Sequence, residues 1–403
     1  MSPELQRCFS SAPIAGLTLR NRLLKAATFE GKTPGGIPGS SYEAFHRRIG
    51  EGGIAMTNLA YCAAEADGRL SEDTMYMHEG IRAPLEALVA SIQATGAKVC
   101  GQLGHCGNFS KNRALSTSRA LGPSGGLSPI GMSVGRPFAG ALSVEGIRAR
   151  VRAFSDAAAF MKSVGFDAIE IHFGHGYAIS QFISPKTNRR RDAYGGSLDN
   201  RMRFGLEILE AVRARVGDQF PLLAKISMTD GVRGGIGYED APEIARRLEA
   251  GGVDVIVCSG GTSSHNPMLL FRGESIKPGI IASEPSAVMR MGIRAFGGLL
   301  FKNYPYEELY FREAALRVRD AVSCGVCYVG GACTNSSFER LMTDGFDFIQ
   351  LGRALLFDPD LPRRAEQDPD YANECSHCNQ CAGLIEAPGG IRCVERPRNF
   401  EAG

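Results

Sequence analysis

Short apolar runs recur along this chain, and between them lie longer segments in which apolar residues return every three or four positions. RLLKAAT (22–28) is the first such run, followed by IAMTNLA, KVCGQL, DAIEIH, PLLAKIS, VDVIVC, VCYVGG and FDFIQLG. Runs this short and this uniformly apolar read as strands of a parallel sheet buried on both faces. The intervening segments predict helices over 41–53, 82–96, 144–165, 200–216, 241–252, 306–324 and 336–345, with a last helix near 361–366. Paired glycines, Gly52 and Gly53, close the first of these helices, as a helix C-terminus often requires.

About eight strands alternating with helices fit either a closed (β/α)8 TIM barrel or a doubly wound open sheet. The count near eight favours the barrel. An open dinucleotide-binding sheet should also carry G-x-G-x-x-G at its first strand-to-helix turn, and no such run follows Thr28. The expected fold is therefore α/β: a TIM barrel with an N-terminal hairpin cap, a long loop after the third strand and a Cys-rich C-terminal extension. The expected division is 1–370 for the barrel and 371–403 for an extension packed on it. The third-strand loop, 106–143, is rich in Gly, Ser and Pro and is expected to cover the substrate.

Composition narrows the partners. The chain has 403 residues with 44% hydrophobic and 22% charged residues and a net charge of +2, so it can bury a large core but has no strong field. Nucleic acid and anionic membranes are discounted on that ground. The N-terminal MSPELQRCFSSAPIAG has no signal-peptide pattern, and no run reaches the roughly 20 apolar residues of a membrane span. A soluble, cytoplasmic protein is the expectation, in which the 12 cysteines stand as thiols or metal ligands.

In a barrel the chemistry sits where strands end. The fourth run ends in IEIHFGHGY, placing His172, His175 and Tyr177 in a loop broken by Gly174 and Gly176. Two histidines in a loop are as often ordinary surface residues as functional ones. After the last two strands come Gly330 and Gly331, then Gly352 and Arg353, whose bare N–H groups near a helix start suit a phosphate. Tight turns alone would explain the same glycines. With polar groups on the opposite strands, the mouth suits a phosphorylated ring cofactor.

The stretch 169–201 resembles the signature of the Old Yellow Enzyme flavoproteins, H-x-x-[HN]-x-Y followed by S-P-x-x-N-x-R-x-D-x-Y-G-G-S and N-R. The matching residues are His172, His175, Tyr177, Ser184, Pro185, Asn188, Arg190, Asp192, Tyr194 to Ser197, Asn200 and Arg201. LRNR (19–22), GQLGHCG (101–107), VGG (329–331) and LGRALLFDPDLP (351–362) extend the resemblance over nearly the whole chain. It implies an FMN-dependent ene-reductase that draws on NAD(P)H and reduces small unsaturated substrates, with C=C bonds activated by a carbonyl or nitro group. It further implies His172 and His175 as donors to the substrate oxygen and Tyr177 as proton donor. Lys225 would stand near flavin N1 and O2, Gln102 at the pyrimidine edge, and Ala26, Ala27 and Thr28 under the ring. Gly330, Gly331, Gly352 and Arg353 would hold the phosphate. Whether Thr28 or Phe29 faces the flavin is open, Cys106 and Asn108 depart from common Ala and Arg, and the absence of Trp leaves Tyr61, Phe29 or Phe173 for the pocket wall.

The C-terminal CSHCNQCAGLIEAPGGIRC spaces Cys375, Cys378 and Cys381 by two residues each, with Cys393 eleven residues on. Four thiolates in one short loop are a ligand set for a [4Fe-4S] cluster or, as the lesser expectation, zinc. The pattern is similar to the cluster loop of trimethylamine dehydrogenase and the dienoyl-CoA reductases. A cluster here would need an external electron carrier; otherwise the loop is a thiol-rich remnant. Three readings stand: an ene-reductase, an iron-sulfur flavoprotein dehydrogenase, and a non-catalytic flavin- or ligand-binding barrel. A homo-oligomer is expected.

Overall fold

Ser2, whose hydroxyl accepts from Leu5 N, and Pro3 at the first helical position start a helix, α1 (Pro3–Phe9), ahead of the expected hairpin β1 (Ala12–Ile14) and β2 (Leu17–Leu19). The computed structural model describes residues 1–284 and 287–400. Beyond the hairpin come β3 (Leu23–Lys25), α2 (Ser40–Glu51), β4 (Met56–Ala63), α3 (Arg82–Gln93) and β5 (Lys98–Gly104). The long loop that follows carries β6 (Leu121–Gly122), β7 (Gly126–Leu127), α4 (Pro129–Met132) and β8 (Phe138–Ala141), the three strands forming a small separate sheet in the order β6-β8-β7. The barrel resumes with α5 (Val144–Ser163), β9 (Ala168–Phe173), α6 (Ala178–Ile183), α7 (Leu198–Val216), β10 (Leu222–Ser227), α8 (Ala241–Ala250) and β11 (Val255–Ser259). Then follow α9 (Lys277–Ser283), α10 (Ala287–Leu300), α11 (Arg312–Arg319), β12 (Gly325–Val329), α12 (Asn335–Thr343) and β13 (Phe348–Leu351). The chain continues through α13 (Arg353–Phe357), α14 (Leu361–Gln367) and α15 (Gln380–Gly383).

Strands β3, β4, β5, β9, β10, β11, β12 and β13 close into a barrel in chain order, every neighbouring pair parallel. The predicted (β/α)8 barrel is the observed one. Side-chain oxygens hold the starts of its outer helices: Ser143 accepts from Gly146 N, Ser197 from Asn200 N and Thr334 from Ser337 N.

The interior is layered by the period of two along each strand. Leu24, Met56, Cys100, Ala168, Leu223, Val255, Cys327 and Phe348 form an apolar floor, and Ala12, Ile14 and Leu19 of the hairpin close it from below. Two residues further on, the same face of five strands turns polar: Asn58, Gln102, Glu170, Lys225 and Gln350, all buried. The mouth lies above this polar layer.

Two features differ from the expected pattern. The helix predicted over 306–324 shrinks to Arg312–Arg319, because Leu309 adopts φ 55°, outside helical space. Tyr310 and Phe311 instead pack on Gly330 and Gly331. An additional helical segment, α9 and α10, follows β11 in a stretch to which the sequence pattern assigns no element. Among the described residues no helix is long and apolar enough to cross a membrane.

Residues beyond α14 lie against the barrel along several lines. Asn335 N donates to Tyr371 O, Ile391 N to Glu30 O at 2.8 Å, and Asn399 Nδ2 to Leu356 O and Phe357 O. Gly31 permits the closest approach, since a Cβ there would sit 1.8 Å from Ile385 O.

Candidate flavin site at the barrel mouth

Glu170 organises the polar layer. Its carboxylate accepts from Gln102 Nε2 at 2.8 Å and Gln350 Nε2 at 2.7 Å, and it pairs with Lys225 Nζ at 2.9 Å. Strand register sets Gln102 directly beside Glu170 and Lys225 beside His172 on the strands that flank β9, while Gln350 reaches Glu170 from β13, across the barrel. A buried carboxylate is tolerable only with such donors around it. Lys225, expected near flavin N1 and O2, is thus paired with a buried carboxylate.

Above the layer, the end of β9 and the turn after it bring the three expected residues together. The ring centroids of His172 and His175 lie 5.0 Å apart, and those of His172 and Tyr177 4.5 Å apart. Tyr61 and Phe109 set their edges against Tyr177 at 5.4 and 5.8 Å. His175 takes φ 59°, and is fixed there by Ser227 Oγ, which accepts its N–H at 2.7 Å, and by a 2.8 Å hydrogen bond between its Nε2 and Ser259 Oγ. Tyr61 supplies the aromatic wall, whereas Phe173 turns into the outer core against Gly205.

Burial governs protonation here. It pushes the Tyr177 phenol well up, assisted by Cys106, and drives His172 well below its usual value, assisted by His175 and Lys225. His175 falls from 6.5 to about 3, by burial first and Lys225 second. Both imidazoles are therefore neutral in the folded chain at pH 7. Between pH 6.5 and 3 the unfolded chain binds a proton at His175 that the folded chain refuses, so stability is present above that window and is lost as pH falls through it. Urea midpoints measured across this interval should decline toward acid. His175→Asn, which tolerates the same backbone, should flatten the decline.

Thr28 donates its hydroxyl to Glu30 Oε1 at 2.8 Å, and Lys25 meets the same oxygen at 2.6 Å, between β3 and α2. Both side chains thus meet on the Glu30 carboxylate. Ala26 continues the inward row of Leu24, and Ala27 packs beside Tyr61 and Tyr177.

The glycine cradle is present but differently furnished. Gly330 and Gly331 have φ 148° and 82°, and the space where their side chains would be is filled by Tyr310 and Phe311. Around Gly352 nothing lies within 4 Å of where a Cβ would stand. The Arg353 guanidinium, expected on a phosphate, donates instead to Arg272 O at 2.7 Å and to Asn379 Oδ1. Arg272 lies over Tyr310 at 4.8 Å, and its Nε has no partner. It is the unspent cation beside the cradle, on a loop with no motif to announce it.

Unpartnered buried atoms test whether a cofactor fits. His172 Nδ1, both amide atoms of Asn58 and Gln350 Oε1 have no hydrogen bond within the protein. Each such atom costs about 1–3 kcal/mol if left unsatisfied. Clustered in the polar layer and at its mouth, they fit a flat ring rich in donors and acceptors, as isoalloxazine is.

The model of the NADH:flavin oxidoreductase / NADH oxidase family, whose members use FMN, matches residues 9–265. The chain belongs to this family. Over 398 residues, 96% of this chain and 94% of the relative, it is 37% identical to 4,4'-dithiodibutanoate disulfide reductase of Rhodococcus erythropolis. It is 30% identical to NADH oxidase of Thermoanaerobacter brockii, spanning 96% of this chain but 56% of that protein. The fold of a 2-naphthoyl-CoA reductase, 23% identical, superposes with a TM-score of 0.81 over 98% of this chain and 58% of that one. The chain thus spans nearly all of the Rhodococcus relative and only about half of the others. Old Yellow Enzyme homologues share the barrel, and the resemblance read in 169–201 was to this same family of flavin-linked, NAD(P)H-associated oxidoreductases.

Cys375, Cys378, Cys381 and Cys393 are all free thiols. Burial raises Cys375, and raises Cys381 to about 12; both feel Cys378 and Arg353, and Cys375 also feels Cys393. Cys375 is thus within electrostatic reach of the other three. Among the described residues, however, no three His, Cys, Asp or Glu side chains are grouped as metal ligands would be. His377, between them, stacks on Tyr306 with centroids 3.4 Å apart.

Residue identity alone did not single out Glu170, Gln350, Asn58 or Arg272. For the first three a signal existed: each follows an inward apolar residue by two positions.

Proposed function

We propose that this oxidoreductase reduces C=C bonds conjugated to a carbonyl or nitro group, with NAD(P)H as the electron source. The observation that carries the reading is the grouping of His172, His175 and Tyr177 directly above a buried polar layer with unpartnered atoms. The chemistry FMN supplies when bound is hydride transfer, taken from NAD(P)H and given to the alkene carbon β to the activating group.

The chain's own residues do the rest. His172 and His175, neutral through burial, donate to the substrate oxygen on which negative charge grows, as oxyanion-hole donors do. Tyr177 keeps its proton until the α-carbon needs it, then gives it up, which completes the saturated product. Asn58, Gln102, Gln350 and the Lys225–Glu170 pair offer hydrogen bonds beneath the ring, and Gly352 and Arg272 receive the phosphate.

FMN-loaded protein should oxidise NADPH faster, under anaerobic conditions, when 2-cyclohexenone is added. A rate indifferent to the enone would sink the proposal. The name of the Rhodococcus relative makes 4,4'-dithiodibutanoate the second acceptor to assay, with one disulfide reduced to two thiols per NAD(P)H consumed.

A second reading rests on the cysteine neighbourhood: a cluster at Cys375, Cys378, Cys381 and Cys393 that passes electrons to an external carrier. Anaerobically purified protein should then hold about four irons and acid-labile sulfide per chain. Cys393→Ser should lower both. Protein without iron, or with zinc alone, removes this reading.

A further inference from the structure

Beside the mouth, the small sheet of the third-strand loop and the loop after β11 enclose a cleft of about 230 Å³ that the flavin reading leaves without a task. Its charged lining is all of one sign. Lys186 and Arg189 stand on it with His265, and no Asp or Glu is among its lining residues. Ser124 and Ser128 add hydroxyls, while Phe109, Leu127 and Ile130 supply an apolar side. In a chain whose net charge is only +2, a cleft with two cations and no acid is a local asymmetry. His265 registers it: burial lowers its pKa, and the nearby Lys186 charge lowers it further.

Among the described residues neither cation forms an ion pair, although the Lys186 charge acts on Asp230. Arg189 Nη2 donates to Gly125 O at 2.6 Å, and Lys186 Nζ to a carbonyl, Arg233 O, at 3.5 Å. Both residues are exposed. The cleft is also continuous with the chemistry. Asn108, Lys186, Thr187 and His265 line it and also a narrow fissure that runs to Gly176 and Thr262, next to His175 and Tyr177. Asp230, the carboxylate on that fissure, is held through Oδ2 by Ser184 Oγ at 2.5 Å and Ile236 N at 2.9 Å, and its buried Oδ1 has no hydrogen-bond partner. Phe109 belongs to the cleft on one side and packs on Tyr177 on the other.

We propose that this cleft binds a carboxylate carried by the substrate at a distance from its reducible bond, with Lys186 and Arg189 as the recognising cations and Phe109, Leu127 and Ile130 against the apolar tether. The proposal rests on the reductase reading for the reacting end. It adds the substrate class: an anionic, amphipathic acceptor.

The test uses a cyclohexenone bearing a propanoate side chain, its methyl ester, and unsubstituted 2-cyclohexenone. Affinities of the FMN-loaded enzyme for acid and ester are measured by calorimetry, and turnover of 2-cyclohexenone is followed alongside. The wild type should bind the acid about ten-fold more tightly than the ester. Lys186→Gln combined with Arg189→Gln should abolish the preference and leave 2-cyclohexenone turnover within about two-fold. Lys186→Gln alone, at an exposed site, should lose part of it, and Lys186→Arg should keep it. Equal affinity for acid and ester in the wild type, or a preference that survives the double substitution, overturns the proposal. So does a double variant that loses preference for NADPH over NADH while still choosing the acid, because the anion would then be the coenzyme's 2'-phosphate. Failure to turn over 2-cyclohexenone with the acid preference intact overturns the reductase reading and leaves the carboxylate site standing.

Discussion

Tyr177→Phe should slow enone-dependent reoxidation by about 10²–10⁴-fold, the usual contribution of a positioned general acid, and leave reduction of the enzyme by NADPH unchanged. The two half-reactions draw on different groups. Only the second needs a proton at the α-carbon, and only Tyr177 among the three grouped side chains is held in its protonated form by burial. Loss of packing is not expected to confuse the result. Phe keeps the ring that Tyr61, Phe109 and His172 contact at 5.4, 5.8 and 4.5 Å. Stopped-flow measurement of each half-reaction separates the outcomes. A variant slowed equally in both has lost cofactor geometry rather than a proton, and one slowed in neither shows that water supplies it.

What was legible in the sequence was local. His172, His175 and Tyr177 fall within six residues at the end of one strand, so the turn that joins them also assembles them. The barrel was legible for a similar reason, since each strand and helix announces itself within a dozen residues. Arg353 shows where this fails. Its place after Gly352 was plain, but its direction is set by Asn379 and by the carbonyl of Arg272, partners 26 and 81 residues away. Tyr306 to Phe311 looked helical by composition, and a positive φ at Leu309 with packing on Gly330 and Gly331 overrode it. Glu170 is the instructive middle case. An acid between two isoleucines interrupts an apolar strand, and the period of two places it on the same face as Ala168 and His172.

That placement makes Lys225→Met the most damaging single change in the interior, with an expected loss of about 3–5 kcal/mol in stability. Lys225 and Glu170 are almost wholly buried, their side chains 3% and 0% exposed, and their charges meet at 2.9 Å. Removing the lysine leaves a carboxylate with two neutral amide donors, Gln102 and Gln350, and no cation. The cost is desolvation of the orphaned charge rather than loss of attraction. Glu170→Gln placed on top of Lys225→Met removes the stranded charge and should restore stability to within about 1 kcal/mol of wild type. Urea unfolding of the two variants decides the matter. If the double variant is no more stable than the single, the damage comes from lost volume at the centre of the barrel and not from the charge on Glu170.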